Sequence, residues 1–385
     1  MMRFEFTTAT RILFGIGSIK EAGGQAAQMG RRAFVLTGRG VDRAAPLFNG
    51  LQENGIKCSQ FSVTEEPTTD LALAAVREAR RQNCDLVVGF GGGSVLDTGK
   101  VVAALLTNRG DLMDYLEVIG AARPLEQASA PYIAIPTTAG TGAEVTRNAV
   151  LDSPAHHVKV SMRSPFMLPK LALVDPELTF TMPPALTAAT GLDAFTQLLE
   201  AFVSLQANPL TDAVCREGLQ HAARSLKKAC GDGQDADARC DMCLASLFGG
   251  LALANAKLGA VHGFAGPLGG MYPASHGALC AGLLPHVMDI NIRALCSRSP
   301  ESKALDRYAE LARLVTGRPT ARAADGSAWV RDLCLQLNVP PLADHGIKPQ
   351  DFPAIVAKAR NASSMKGNPI ELTADELLEI LQLAL

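Results

Sequence analysis

Four apolar runs of strand length punctuate the first half of the chain, at residues 33–37 (AFVLT), 85–90 (DLVVGF), 132–136 (YIAIP) and 171–174 (LALV). Each is bounded by Gly, Pro or charged residues, and between them 44–54 and 70–82 carry helical spacing, with Thr69 or Asp70 placed to cap the second. Parallel strands need long crossovers, so strands alternating with helices imply a parallel sheet covered on both faces. After Pro183 and Pro184 the strand pattern stops. Residues 185–205, 209–229, 235–258, 277–294 and the tail read as helices, and 317–327 reads as a polar surface loop. The expected architecture is an α/β Rossmann-like nucleotide-binding domain over 1–182, then an all-α domain over 183–385.

Charge excludes some partners. Lys and Arg number 36 against 38 Asp and Glu, a net charge of −2, and no basic face or tail offers itself to a phosphate backbone. No nucleic acid is expected. The longest candidate apolar stretch, 245–270, is interrupted by Asn255, Lys257 and His262, so no membrane span is expected either. The amino terminus lacks the order of a signal peptide, and nine scattered cysteines fit reduced thiols, so the expected compartment is the cytoplasm. Cys240 and Cys243 have CxxC spacing inside a helical stretch, with no second pair to complete a zinc site.

Two loops follow strand-length runs where a parallel sheet builds phosphate cradles. In Gly91-Gly92-Gly93-Ser94-Val95-Leu96-Asp97, glycines permit close backbone approach, and the helix that follows offers free N–H groups. This is neither GxGxxG nor Walker A, because Val101 follows Lys100 where Ser or Thr should stand. An empty tight turn fits the motif as well. The second loop, residues 136–144, carries Thr137, Thr138 and Thr141 with two glycines, suited to a ribose or pyrophosphate. Two such loops favour a nucleotide.

Asp193 and Gln197 lie four apart on one helical face. His262 and His276 sit in Gly-rich surroundings, where the backbone can bend to bring them to one point. One carboxylate and two imidazoles form a common catalytic metal set, although two hydrogen-bonded core histidines and a surface aspartate would carry the same pattern. His286 could cap a helix; His156 and His157 fall in a polar loop; His221 and His345 have no evident partners. Phe248, Phe264, Cys280 and Met365 could line a substrate site or simply pack.

Together, ILFGIGS at 12–18, GGGSVLDTGK at 91–100, PTTAGTGAEVT at 136–146, DPELT at 175–179, GLDAFTQLLEAFVS at 191–204, HGFAGPLGG at 262–270 and HGALCAGLLPH at 276–286 resemble the iron-containing (group III) alcohol dehydrogenases over nearly the whole chain. The resemblance implies their two-domain fold, shared with the dehydroquinate-synthase type, with the active site between the domains. It implies metal-assisted hydride transfer between NAD(P) and an alcohol or aldehyde carbon, in dimers or larger assemblies. It assigns Gly92, Gly93, Ser94 and Asp97 to the pyrophosphate and nicotinamide side, with Thr137, Thr138, Thr141, Lys159 and Leu178 also at the cofactor. Asp193, His262 and His276 match three metal ligands, for Fe²⁺ or Zn²⁺.

Two departures qualify it. The family's fourth ligand, a histidine, is Gln197 here, which offers iron only a weak amide oxygen; Gln197 is then an outer or weak ligand, and zinc becomes a candidate. Gly266 stands where the family commonly has a histidine near the substrate, so either the substrate is bulkier or simple alcohols are poor substrates. The segment Thr37-Gly38-Arg39-Gly40 lacks the carboxylate that repels a 2′-phosphate, and Arg39 could pair with one, so NADP(H) should be accepted at least as well as NAD(H). The rival expectations are a dehydroquinate-synthase-like lyase, disfavoured by apolar surroundings at Asp193, His262 and His276, and a catalytically impaired nucleotide-binding homologue.

Overall fold

The computed structural model describes residues 3–385. The chain divides into two compact units, residues 8–180 and a second unit of residues 181–385 joined by residues 3–7.

The first unit is built on β1 (Ile12–Phe14), β2 (Arg32–Thr37), β3 (Lys57–Ser62), β4 (Leu86–Gly91), β5 (Tyr132–Pro136), β6 (Asn148–Ser153), β7 (Val158–Arg163) and β8 (Leu171–Val174). Its helices are α1 (Ala22–Ala27), α2 (Ala45–Glu53), α3 (Thr69–Arg81), α4 (Gly93–Thr107) and α5 (Leu112–Tyr115). Six strands form one parallel sheet in the order β1-β8-β5-β4-β2-β3. Alternation along β2 sends Ala33 and Val35 to the face under α1 and α2, and Phe34 and Leu36 to the face under α3 and α4, giving two separate cores. The cap of α3 is Thr68, not Thr69 or Asp70: its hydroxyl accepts from the Leu71 N–H at 3.1 Å. The remaining strands, β6 and β7, form an antiparallel hairpin, with His156 and His157 in its turn.

The chain reverses direction across the sheet between β2 and β4, which are neighbours although β3 lies between them in sequence. Thr37 pairs with Phe90, and Gly91 pairs with Pro136. The carboxyl ends of β2, β4 and β5 are therefore consecutive at the point where parallel sheets bind ligands.

In the second unit α6 (Pro184–Val203), α7 (Pro209–Gly231), α8 (Ala236–Asn255), α9 (Ala260–Met271), α10 (His276–Arg298), α11 (Lys303–Thr316), α12 (Ala323–Gln336), α13 (Phe352–Asn361) and α14 (Ala374–Ala384) pack without strands among the described residues. The loop expected at 317–327 ends at residue 322. Gly317 closes α11 at φ 67°, and Asp325 accepts from the Arg322 N–H at 2.8 Å, so α12 is already under way by Ala323. His286 lies inside α10 and caps nothing. His221 does have partners: Nδ1 is 2.7 Å from Asp241 Oδ1. None of the nine cysteines, all among the described residues, is in a disulfide.

The stretch 245–270 splits between α8 and α9, bent 95° apart. Contrary to expectation, α10 is long and apolar enough to cross a membrane by length and composition, but 67 % of its most apolar stretch is buried in the fold. Its apolarity serves helix packing.

Candidate functional site: a nucleotide cradle and a metal-binding cluster

In the first unit, α4 starts directly from β4, and no side chain caps its amino end at Gly92. The β5 loop closes beside it: the Thr137 N–H donates to the Gly91 carbonyl at 3.0 Å. A Cβ built on Gly92 would stand 3.4 Å from Thr138, and one on Gly93 only 2.9 Å from Thr141 Cγ2. The two glycine-bearing loops thus form one wall, and Gly93 is where a side chain would push them apart. Gly38, after β2, has open space around it, with Val95 Cγ2 at 3.9 Å as its nearest neighbour. Arg39 is exposed and anchored through Nε, which donates to the Thr64 carbonyl at 2.7 Å.

Three residues assigned by resemblance are tied up within the protein. Asp97 Oδ2 accepts from the Val150 N–H at 2.9 Å, and its Oδ1 takes the Lys100 ammonium at 3.1 Å. Lys159, on β7, pairs with Glu66 at 3.1 Å. Leu178 lies in the turn after β8, where its carbonyl accepts from Arg43. Lys100 itself is fully buried, and Asp97, Thr146 Oγ1 at 2.8 Å and the Asn148 carbonyl at 2.7 Å take its three N–H donors. The lysine of the Walker-like string is therefore a pin between α4 and β6, with no donor left for phosphate.

In the second unit, α6 carries Asp193, Gln197 and Glu200 at i, i+4 and i+7, all buried on one face. His262 is the third residue of α9 and His276 the first of α10, so these histidines converge by helix placement rather than by bending of glycine-rich loops. Glu200 positions the first: its Oε1 accepts from the Val261 N–H at 2.7 Å and its Oε2 lies 2.7 Å from His262 Nδ1. A carboxylate at a helix amino end suits the helix dipole, and its bond to Nδ1 turns Nε2 inward. Gly277 positions the second, because a Cβ there would come within 2.5 Å of the Ala189 carbonyl oxygen on α6.

His262 Nε2 ends 3.3 Å and His276 Nε2 3.9 Å from Asp193 Oδ1. Gln197 points its amide elsewhere, Nε2 donating to Asp193 Oδ2 at 3.3 Å. Cys280, one turn after His276, joins them: Asp193, His262, His276 and Cys280 each bring a donor atom within 4.8 Å of all the others. Cys280 stands among the residues expected to line a substrate site or pack. Glu200 is a site residue that the sequence reading misses, although the i, i+4, i+7 spacing is its signal. Of the other three expected to line a site or pack, Phe264 is wholly buried, Phe248 stacks near His221, and Met365 lies against Gly263.

The cluster is short of positive charge. Burial alone would lower the His262 pKa, but Cys280, Asp193 and Glu200 outweigh it and hold it well above the ordinary imidazole value. Cys280 likewise raises His276 against burial. Burial works against the Asp193 charge, yet the two imidazoles bring its pKa below the usual carboxylate value. Asp193 Oδ1 is buried without a hydrogen-bond partner. A buried carboxylate oxygen left over among inward-turned imidazoles fits a divalent cation.

The model of the iron-containing alcohol dehydrogenase family matches residues 9–176, and its C-terminal family model matches 187–385. The chain belongs to the iron-containing alcohol dehydrogenase family. Alcohol dehydrogenase 4 of Schizosaccharomyces pombe is 36 % identical over 97 % of this chain and 87 % of its own. The crystal structure of a 1,3-propanediol oxidoreductase superposes with a TM-score of 0.93 at 32 % identity, covering 100 % of both chains. Sulfoacetaldehyde reductase from Bifidobacterium kashiwanohense, solved with NAD⁺, gives 0.87 at 26 % identity over 100 % and 99 %. As a family member, the chain is an oxidoreductase that interconverts alcohols and aldehydes.

Proposed function

We propose an NAD(P)-dependent, metal-assisted alcohol dehydrogenase or aldehyde reductase acting on a small molecule. The observation that carries this is the convergence of Asp193, His262 and His276 in a chain that also presents a glycine–threonine cradle at its sheet's turning point. Dividing the chain at 1–182 and 183–385 gives the cradle and the cluster a domain each. Gly92, Gly93 and Ser94 receive the pyrophosphate on the uncapped end of α4, and Thr137, Thr138 and Thr141 line the same wall. Asp97 braces α4 through Val150 and Lys100, while the Lys159 ammonium and the Leu178 carbonyl are engaged with Glu66 and Arg43.

Asp193, His262 and His276 would hold the divalent ion, Fe²⁺ or Zn²⁺, with Gln197 orienting Asp193. When bound, such an ion acts as a Lewis acid that stabilises the alkoxide while hydride passes to or from nicotinamide. Glu200 fixes the His262 ring and keeps its Nε2 available. Gly266, one turn along α9 from His262, has nothing within 4 Å of where a Cβ would stand, so room remains where the family commonly has a histidine. This favours a substrate bulkier than a short alcohol.

With no carboxylate at Gly38 and the exposed Arg39 beside it, NADP(H) is accepted at least as well as NAD(H). Cysteines outside any disulfide suit a cytoplasmic setting, and the family resemblance suggests dimers or larger. The test is absorbance of NADH and NADPH over an aldehyde panel, with Zn²⁺ or Fe²⁺ added. Turnover that needs metal and runs with NADPH at least as well as NADH supports the proposal; activity untouched by complete metal removal refutes it.

A further inference from the structure

We propose that Cys280 is a metal ligand, that its thiolate takes the coordination place left by Gln197, and that it makes the site select zinc over iron. This rests on the metal site proposed above. The thiol is fully buried on α10, 3.7 Å from His276 Nε2 and 3.9 Å from His262 Nε2. His276 and Cys280 are four apart, so one helical face presents both. Independently, the buried Asp193 Oδ1 has no hydrogen-bond partner and faces the same point.

The spacings suit a small tetrahedral ion. Bonds of about 2.0–2.1 Å to nitrogen or oxygen and 2.3 Å to sulfur place neighbouring tetrahedral donors about 3.3–3.6 Å apart. Four of the six spacings are 3.3, 3.7, 3.9 and 3.9 Å, and all six lie within 4.8 Å. The longer ones need to contract by a few tenths of an ångström to about 1 Å, within reach of side-chain rotation. Gln197 cannot compete with its amide nitrogen, because that group is a donor turned to Asp193 Oδ2.

Ligand chemistry then decides the metal. The resemblance gives the family one carboxylate and three imidazoles; here the set is one carboxylate, two imidazoles and one thiolate, the same number with a softer donor. Thiolate with imidazole in a tetrahedral arrangement is a zinc preference, whereas a carboxylate and histidines alone accommodate iron. The His276 side chain is 38 % exposed, so the cluster is open to a small molecule on that side.

Cobalt substitution of the full-length protein tests this. The wild type should bind one Co²⁺ with visible ligand-field bands and a near-ultraviolet thiolate-to-cobalt charge-transfer band. Cys280→Ser should keep the first and lose the second, while Cys296→Ser, at an exposed cysteine, should keep both. Zinc affinity should fall about 100-fold or more in Cys280→Ser, beyond the loss of an outer partner, and the zinc-to-iron preference should fall with it. If Cys280→Ser does not fold, zinc-edge X-ray absorption of the wild type decides, with one sulfur scatterer expected at about 2.3 Å. Wild type that binds cobalt or zinc with only nitrogen and oxygen donors overturns the role of Cys280 and leaves the trio standing. Wild type that binds no divalent metal overturns both readings.

Discussion

At the scale of single residues, the proposed coenzyme choice and the proposed metal site each turn on one residue's surroundings. Gly38 has room for a side chain, so Gly38→Asp should be accommodated and should place a carboxylate beside the adenosine ribose. We expect kcat/KM for NADPH to fall about tenfold relative to NADH, near 1.4 kcal/mol. Because Arg39 is exposed, the shift should shrink at high salt; an unchanged ratio would remove Gly38 from coenzyme choice. Glu200 acts through another side chain. Glu200→Gln should keep the fold and lower metal affinity roughly 10–100-fold, measured by competition with a chromophoric chelator. No change would mean that the His262 ring is held by packing alone.

Among the elements, α4 depends on a pin that in sequence looks like part of a near-miss phosphate motif. Lys100 ties α4 to the start of β6 through Thr146 Oγ1 and the Asn148 carbonyl, its third acceptor being Asp97 on α4 itself. Lys100→Met should therefore destabilise the first unit by about 3 kcal/mol, since it strands Asp97 and two buried oxygens. Urea unfolding gives the value, and a loss under 1 kcal/mol would show that the pin is dispensable. Element by element, legibility followed burial. β2 beyond Arg32, β4, β5 and β8 lie inside the sheet, buried on both faces, so they are almost wholly apolar and plainly readable. The two edge strands escape sequence reading: β1 is three residues long, and β3, KCSQFS, is polar because one side of it meets solvent. The β6–β7 hairpin does alternate, every second residue of β6 being buried, but only over six residues in each strand. In α9 the glycines read as a flexible loop. There Gly263 is small because Met365 packs against it, with Cε 2.8 Å from where a Cβ would stand. Small residues chosen for contact look like small residues chosen for bending.

For the whole molecule, the two units should respond to different ligands. Hydrogen exchange should show chelation loosening α6 and the amino ends of α9 and α10, while NADPH slows exchange at 91–94 and 137–141. At 100 times the dissociation constant each ligand adds about 2.7 kcal/mol to whatever it binds. Exchange that rises evenly through both units on chelation would contradict this division. The outline of the molecule, a parallel α/β part followed by helices, was visible in the spacing of apolar runs. The cluster was visible only in part: Asp193, His262 and His276 were named from the sequence, whereas Glu200 and Cys280 resemble ordinary core residues until the helices are assembled.

Residues 3–7 belong with the helical unit, and the Thr7 N–H donates to Asn255 Oδ1 at 2.5 Å across 248 residues. Asn255 returns the bond through Nδ2 to the Thr7 carbonyl at 2.8 Å. During synthesis at about 5–20 residues per second, residues 3–7 must therefore wait some tens of seconds after they are made for Asn255 to follow. The α/β unit can close in the meantime, while a segment made before it is hydrogen-bonded only after it.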